Sequence, residues 1–295
     1  MSTLTITIIQ SNLHWEDKAA NLAMFEEKIN SIKGKTEIVV LPEMFSTGFS
    51  MEPSKLAETI EGETVQWMKR IAVQKKIILT GSVIIKEVAT GQAAGSGQTN
   101  KGTVQVAESA PTRFYNRLIW MLPNGQYGYY DKRHRFAFAG EDLHYTSGNK
   151  RLIASVKGWK INLLICYDLR FPVWARQTPP LLQEKGQGGE VEPEFDLLIY
   201  VANWPEKRIH AWKTLLQARA IENQCYAIGC NRLGDDNNGF HYSGESMVVD
   251  PMGEILYTKK DAEDTFTITI DKKDLQEVRE KFPFWKDGDL FTIEK

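Results

Sequence analysis

Three residues stand where an apolar run gives way to a polar turn, and each is of a type that does chemistry. Glu43 follows "IVVLP", Lys132 lies in "YYDKRH", and Cys166 follows "INLLI". Short β-branched or aliphatic runs bounded by turn residues read as buried strands. In layered α/β folds the strand ends converge on one rim, where ligands bind. A thiol, a carboxylate and an ammonium on that rim form a working set: a nucleophile, its base, and a cation for developing negative charge. Each residue also has a plain reading. A free cysteine at a strand end is most often a small buried hydrophobe. Glu43 after a proline reads equally as a solvated loop acid, and Lys132 in "DKRHR" as part of an exposed charged loop.

With an ordinary pKa near about 8.5, a thiol is mostly protonated at neutral pH. A base beside it removes the need for a free thiolate, so none of the five histidines is required. His134, nearest the lysine, reads as a packing residue behind the site. Cys225 and Cys230 lie inside the apolar run "CYAIGC" and read as core. Asp168, Arg170 and Pro172 follow Cys166 and are expected to fix the turn that presents it, by a salt bridge or backbone hydrogen bonds.

The elements that must position these groups alternate between strand and helix. "TLTITIIQ" alternates polar and apolar residues, as a half-buried strand does. Residues 16–32 carry helical spacing, "EIVVLPE" reads as strand, "ETVQWMKRIAVQKK" as helix and "IILTGSVII" as strand. Pro-Asn-Gly between aromatic-rich runs predicts a hairpin ending near Lys132. "GWKINLLICYD" predicts a strand pair, "FDLLIYVANWP" a buried strand, "EKRIHAWKTLLQARAIENQ" a long helix and "CYAIGCNRLG" another strand. "SMVVDPMGEILYTKK" predicts a hairpin, followed by the strand "TFTITID" and a short helix. Early alternation with later hairpins disfavours a purely doubly wound parallel sheet. It predicts one α/β domain over residues 1–295 with mixed sheets packed as two layers. Residues 88–110 and 178–194 read as loop-rich insertions within that domain, and 281–295 as a C-terminal tail.

Composition narrows the partners. The 295 residues are 42% hydrophobic and 25% charged, with net charge −2 and no long basic run. That is ordinary globular composition with little support for nucleic-acid or membrane-surface binding. The first residues read as a strand, so no signal peptide is expected, and no apolar window is long enough to span a membrane. Three cysteines without a secretory leader point to a reducing cytoplasm. No CxxC pair suggests a zinc site, and no metal or cofactor is expected.

The motifs "VVLPEMFSTGF", "YYDKRHRF" and "LLICYDLRFP", in that order and separation, resemble the nitrilase superfamily of carbon–nitrogen hydrolases. "ANWPEKRIHAWKTLLQARAIENQCYAIGCNRLG" and "GESMVVDPMGEIL" are similar to that family's downstream segments, so the resemblance runs from residue 5 to about residue 270. It implies a four-layer α-β-β-α sandwich with two mixed sheets. It further implies that Cys166 attacks an amide carbonyl and that Glu43 moves the protons. Lys132 and the backbone N–H of Tyr167 would hold the oxyanion, and Glu141, in "EDLHYTSGN", would orient Lys132. A homodimer is implied as well.

"CYDLRFPVWAR", "PEMFSTGF" and "NWPEKRIHAW" resemble the bacterial omega-amidase branch, whose members release ammonia from the terminal amide of alpha-ketoglutaramate and alpha-ketosuccinamate. A small anionic substrate needs a cation and aromatic walls opposite the thiol. Phe45, Phe49, Trp204 and Arg208 are the candidates from neighbouring loops. The competing readings are a hydrolase of N-carbamoyl amines, other linear amides or nitriles, and a non-catalytic binding scaffold. A papain-like protease would want its cysteine near the mature N-terminus, which Cys166 is not.

Overall fold

The computed structural model describes residues 2–88, 111–177, 193–289 and 291–293. The insertions expected at 88–110 and 178–194 lie almost wholly outside the described residues. In chain order β1 (Thr3–Gln10) leads to α1 (Lys18–Ser31), β2 (Ile38–Val40), the short α2 (Pro53–Leu56), α3 (Glu63–Lys75) and β3 (Ile78–Val88). β4 (Thr112–Met121) and β5 (Tyr127–Asp131) form the Pro-Asn-Gly hairpin, followed by α4 (Glu141–His144), β6 (Leu152–Val156), β7 (Trp159–Ile165) and α5 (Pro172–Ala175). The rest comprises β8 (Leu197–Ala202), α6 (Ile209–Asn223), β9 (Tyr226–Asn231), β10 (Leu233–Asp235), β11 (His241–Val249), β12 (Ile255–Lys260), β13 (Asp264–Asp271) and α7 (Lys272–Lys281).

These strands make two mixed sheets, one in the order β13-β1-β2-β3-β4-β5 and one in the order β10-β11-β9-β8-β7-β6, with β12 on β11. β1, β2 and β3 are parallel neighbours, as are β7, β8 and β9. Leu4, Ile6, Ile8, Val40, Leu118 and Trp120 of the first sheet meet Ile161, Leu163, Ile165 and Ile199 of the second in one buried cluster. On the outer face of the first sheet, Leu22, Phe25 and Ile29 of α1 and Val65, Met68 and Ile71 of α3 pack on Val39, Leu79 and Ile119. On the outer face of the second, α6 lies across Gly229, where an added Cβ would stand 2.4 Å from the Trp212 ring. The architecture is therefore an α-β-β-α sandwich in a single domain. No helix among the described residues is long and apolar enough to cross a membrane.

Two local expectations change. β1 is not half-buried: it lies between β13 and β2, and Thr7 is fully buried. Its polar row survives burial because Thr5 and Thr7 hydroxyls bond Thr269 and Thr267 across the strand pair at 2.9 and 2.8 Å, which offsets their desolvation. "GWKINLLICYD" forms one strand, not a pair; its partner β6 precedes the turn at Lys157 and Gly158, both of which have positive φ.

Candidate active site

The exits of β2, β5, β7 and β8 meet above the inter-sheet core. Glu43 lies three residues past β2 and is completely buried. Its Oε1 accepts from Lys132 Nζ and from Asn116 Nδ2, each at 2.8 Å. Its Oε2 accepts from the Asn203 backbone N–H at 2.9 Å, and the Asn203 side-chain amide donates to the Glu43 carbonyl at 2.7 Å. Lys132 directly follows β5, and its own N–H donates to the Asn116 carbonyl of β4 at 3.0 Å. Glu141 opens α4 and accepts from Lys132 Nζ at 3.0 and 2.9 Å and from Phe136 N–H at 2.5 Å.

Cys166 begins a short 3-10 turn, Cys166–Arg170, directly after β7. Its φ is +42°, a left-handed conformation that costs a non-glycine residue energy and persists only when its surroundings enforce it. Asp168 supplies that enforcement. This fully buried carboxylate accepts from Ile165 N–H at 3.1 Å and Tyr130 Oη at 2.8 Å through one oxygen. The other accepts His134 N–H at 3.0 Å and pairs with His134 Nδ1 at 2.8 Å. From behind, Arg219 Nη2 of α6 donates to the Leu169 carbonyl at 2.6 Å. His134 is stacked on Phe171 at 3.8 Å, so it packs behind the turn. Arg170 does not join Asp168; its guanidinium lies over the Trp204 ring at 5.0 Å.

Burial and then the nearby Glu43 push the Cys166 thiol up, against the pull of Lys132. The resting sulfur is therefore a thiol that needs a base, not a standing thiolate. Burial alone would depress Lys132, but Glu141 and Glu43 outweigh it and hold the ammonium charged. Burial raises Glu141, with Lys132 opposing. The thiol Sγ lies 3.9 Å from the Asn203 carbonyl.

The group opens on a cavity of about 270 Å³. Phe49, Phe136, Tyr167, Trp204 and Tyr242 are among its aromatic walls; Lys132, Cys166 and Asn203 reach it from within, and Arg170, Arg208 and Asp236 also line it. Arg208 lies over the Phe136 ring at 5.1 Å, and Trp204 Nε1 donates to the Arg208 carbonyl. Neither Arg170 nor Arg208 forms an ion pair among the described residues; each lies over an aromatic ring instead. Tyr167 is second in the nucleophile turn, where N–H groups have no carbonyl within the turn to bond.

Phe45 is corrected: it does not line this cavity. Its ring packs between Phe25 and Trp67 at 5.6 and 5.9 Å, in the helix-side core. Met44 at φ +45° turns the chain back, Phe45 N–H bonds Ser82 O, and Gly81 leaves room for the ring. Phe49 supplies the wall from that loop. Sequence reasoning missed Asn116, Asn203, Tyr130 and Arg219. Asn203 carried a signal, since it too ends an apolar strand, in "IYVANWP".

The family model for carbon-nitrogen hydrolase matches residues 5–280. Omega-amidase YafV of Escherichia coli (strain K12) is 41% identical over 295 residues, covering 99% of this chain and 100% of that protein. The 2-oxoglutaramate amidase of Bacillus subtilis (strain 168) is 28% identical, over 96% of each. The crystal structure of XC1258 from Xanthomonas campestris, a CN-hydrolase superfamily protein with an arsenic adduct in the active site, superposes with a TM-score of 0.85 at 38% identity, covering 100% of both chains. A match over nearly the whole chain, together with the nitrilase-like motifs meeting in one buried cluster, places this protein in the carbon–nitrogen hydrolase family.

Proposed function

We propose that this carbon–nitrogen hydrolase is an omega-amidase, releasing ammonia from the terminal amide of small dicarboxylic or 2-oxo acid amides. The observation that carries the reading is one buried assembly of thiol, carboxylate and ammonium opening on a small aromatic cavity lined by two arginines that form no ion pair among the described residues. The E. coli omega-amidase, similar over its full length, supports the same substrate class.

Cys166 Sγ attacks the amide carbon as Glu43 takes the thiol proton. The negative oxygen that forms is held by Lys132 Nζ and the Tyr167 N–H. Collapse breaks the C–N bond; Glu43 returns the proton to the leaving nitrogen, ammonia departs and a thioester remains. Water then attacks the thioester, giving its proton to Glu43. The C–S bond breaks, the sulfur recovers that proton, and the free acid leaves. Glu141 keeps Lys132 charged and aimed. Arg208, with Arg170 also lining the cavity, meets the far carboxylate, and Trp204 and Phe49 set the substrate's length.

Purified protein should release ammonia from alpha-ketoglutaramate and succinamate. Turnover of an N-carbamoyl amine or a nitrile with no ammonia from either amide would overturn the substrate class. Silence with every amide would favour a binding scaffold.

The chain is read as a cytoplasmic homodimer. Its three cysteines are free thiols, which suits a reducing compartment. Ile221, Met252 and Phe284 are exposed apolar residues near the C-terminal end of α6, where a partner's helices would cover them. Light scattering should give twice the chain mass, and Ile221→Glu should shift it toward the monomer. A monomeric wild type would sink this reading.

A further inference from the structure

Lys132 has three N–H donors, and all three are engaged by carboxylate oxygens. One meets Glu43 Oε1 at 2.8 Å, and two meet Glu141 Oε1 and Oε2 at 3.0 and 2.9 Å. To serve an oxyanion, the ammonium must give one of these up. Glu43 is the partner whose hold weakens during the reaction, because it gains the thiol proton. The Asn203 N–H still holds Glu43 Oε2 at 2.9 Å, but Oε1, the oxygen Lys132 releases, needs another donor.

Asn116 is placed to supply it. It sits in β4, is 1% exposed, and its single side-chain NH₂ donates to Glu43 Oε1 at 2.8 Å and to Glu141 Oε1 at 3.3 Å. Its Oδ1 is buried with no partner among the described residues. That costs desolvation free energy. The alternative is worse, since flipping the amide would set its oxygen against two carboxylates. The acids therefore dictate the orientation of the amide, and the amide ties the two acids together independently of Lys132.

We infer that Asn116 is a positioning residue for the hydrolysis: its NH₂ group bridges the Glu43 and Glu141 carboxylates and keeps Glu43 Oε1 anchored when Lys132 turns to the oxyanion. This rests on reading Glu43 as the base. The other titratable groups around the amide are Lys132 from the β5 exit, Cys166 from the β7 exit and Tyr145 after α4, with Glu16 beyond on Ser50 Oγ. Arg117, next on β4, pairs instead with Asp131 and Glu87. An amide donor bonded to a carboxylate favours its charged form, so losing it moves the acidic limb of the rate profile to higher pH.

The test is kcat and KM for alpha-ketoglutaramate, or for the amide found to turn over, across pH for wild type, Asn116→Leu and Glu43→Gln. Asn116→Leu should lower kcat roughly 10- to 100-fold with KM nearly unchanged, and move the acidic limb up by about one pH unit. Asn116→Ala and Asn116→Ser, small residues that differ by one hydroxyl, give the same comparison if the leucine variant does not fold. Serine should then recover part of the limb that alanine loses. An unmoved limb, with rate loss matching the loss of folded protein, overturns the role of Asn116 while an inactive Glu43→Gln keeps Glu43 as base. Full turnover by Glu43→Gln would overturn the base assignment itself.

Discussion

Cys166→Ala is expected to end ammonia release, lowering kcat by about 10⁴-fold or more, while leaving the fold in place. The sulfur is the nucleophile of the assembly, and the thioester needs it. Glu43 can move protons, and Lys132 and the backbone N–H of Tyr167 can hold the oxyanion, but none of them can make the thioester. Structurally the sulfur carries little: it makes only a long contact to the Asn203 carbonyl at 3.9 Å besides its approach to Glu43, and alanine fits the same turn. Loss of activity with a Tm within a degree or two of wild type is the expected pair of readouts. Mass spectrometry of wild type mixed with a slow amide should show the acyl adduct on Cys166, and the alanine variant should show none. Full turnover by the variant would end the covalent mechanism.

Lys132→Met should cost both activity and stability. Lys132 is the cation shared by two carboxylates, all three groups being almost wholly out of water. Removing it strands those acids, a change that typically costs about 3–5 kcal/mol, and removes the oxyanion's charged partner. The pH dependence has a definite sign. Burial already raises Glu141, and the ammonium is the strongest influence opposing that. A carboxylate raised in the folded state adds stability only at low pH and loses it as pH rises through its folded value. The deficit of Lys132→Met against wild type should therefore be largest at neutral pH. It should shrink as pH falls toward the ordinary carboxylate range near about 4. Thermal unfolding at several pH values reads this directly. Adding Glu141→Gln should restore part of the lost Tm and none of the turnover. A Lys132→Met protein as stable as wild type at pH 7 would contradict the buried ion-pair account.

The exits of β2, β5 and β7 were legible because each ends an apolar run abruptly in a residue with chemistry, a one-dimensional pattern. Glu141 follows no such run; only family resemblance pointed to it. Asn116 was invisible for a physical reason. A single amide inside a strand reads as a solvent-facing position, and only the pairing of β3, β4 and β5 turns it toward the acids. Phe45 and Phe49 were indistinguishable in sequence, because the left-handed residue Met44 breaks the alternation by which side-chain direction is counted. The two-sheet layering was readable from early alternation and later hairpins. Burial of β1 was not, since its threonine row pairs with threonines of β13, more than 250 residues away.

Asp168 has a further consequence. One carboxylate is hydrogen-bonded from the residue before the nucleophile, from the strand that delivers Lys132 and from the loop after it, and Trp174 braces the tyrosine in that set at 2.9 Å. The posture of the sulfur is thus not encoded by the five residues of its own turn alone. It is a collective property, written jointly by segments some thirty-five residues apart. The peptide "CYDLR" taken alone is an unremarkable stretch with a weak thiol. The chain acquires a nucleophile only at the moment its two sheets close on each other, so folding and catalytic competence arrive together.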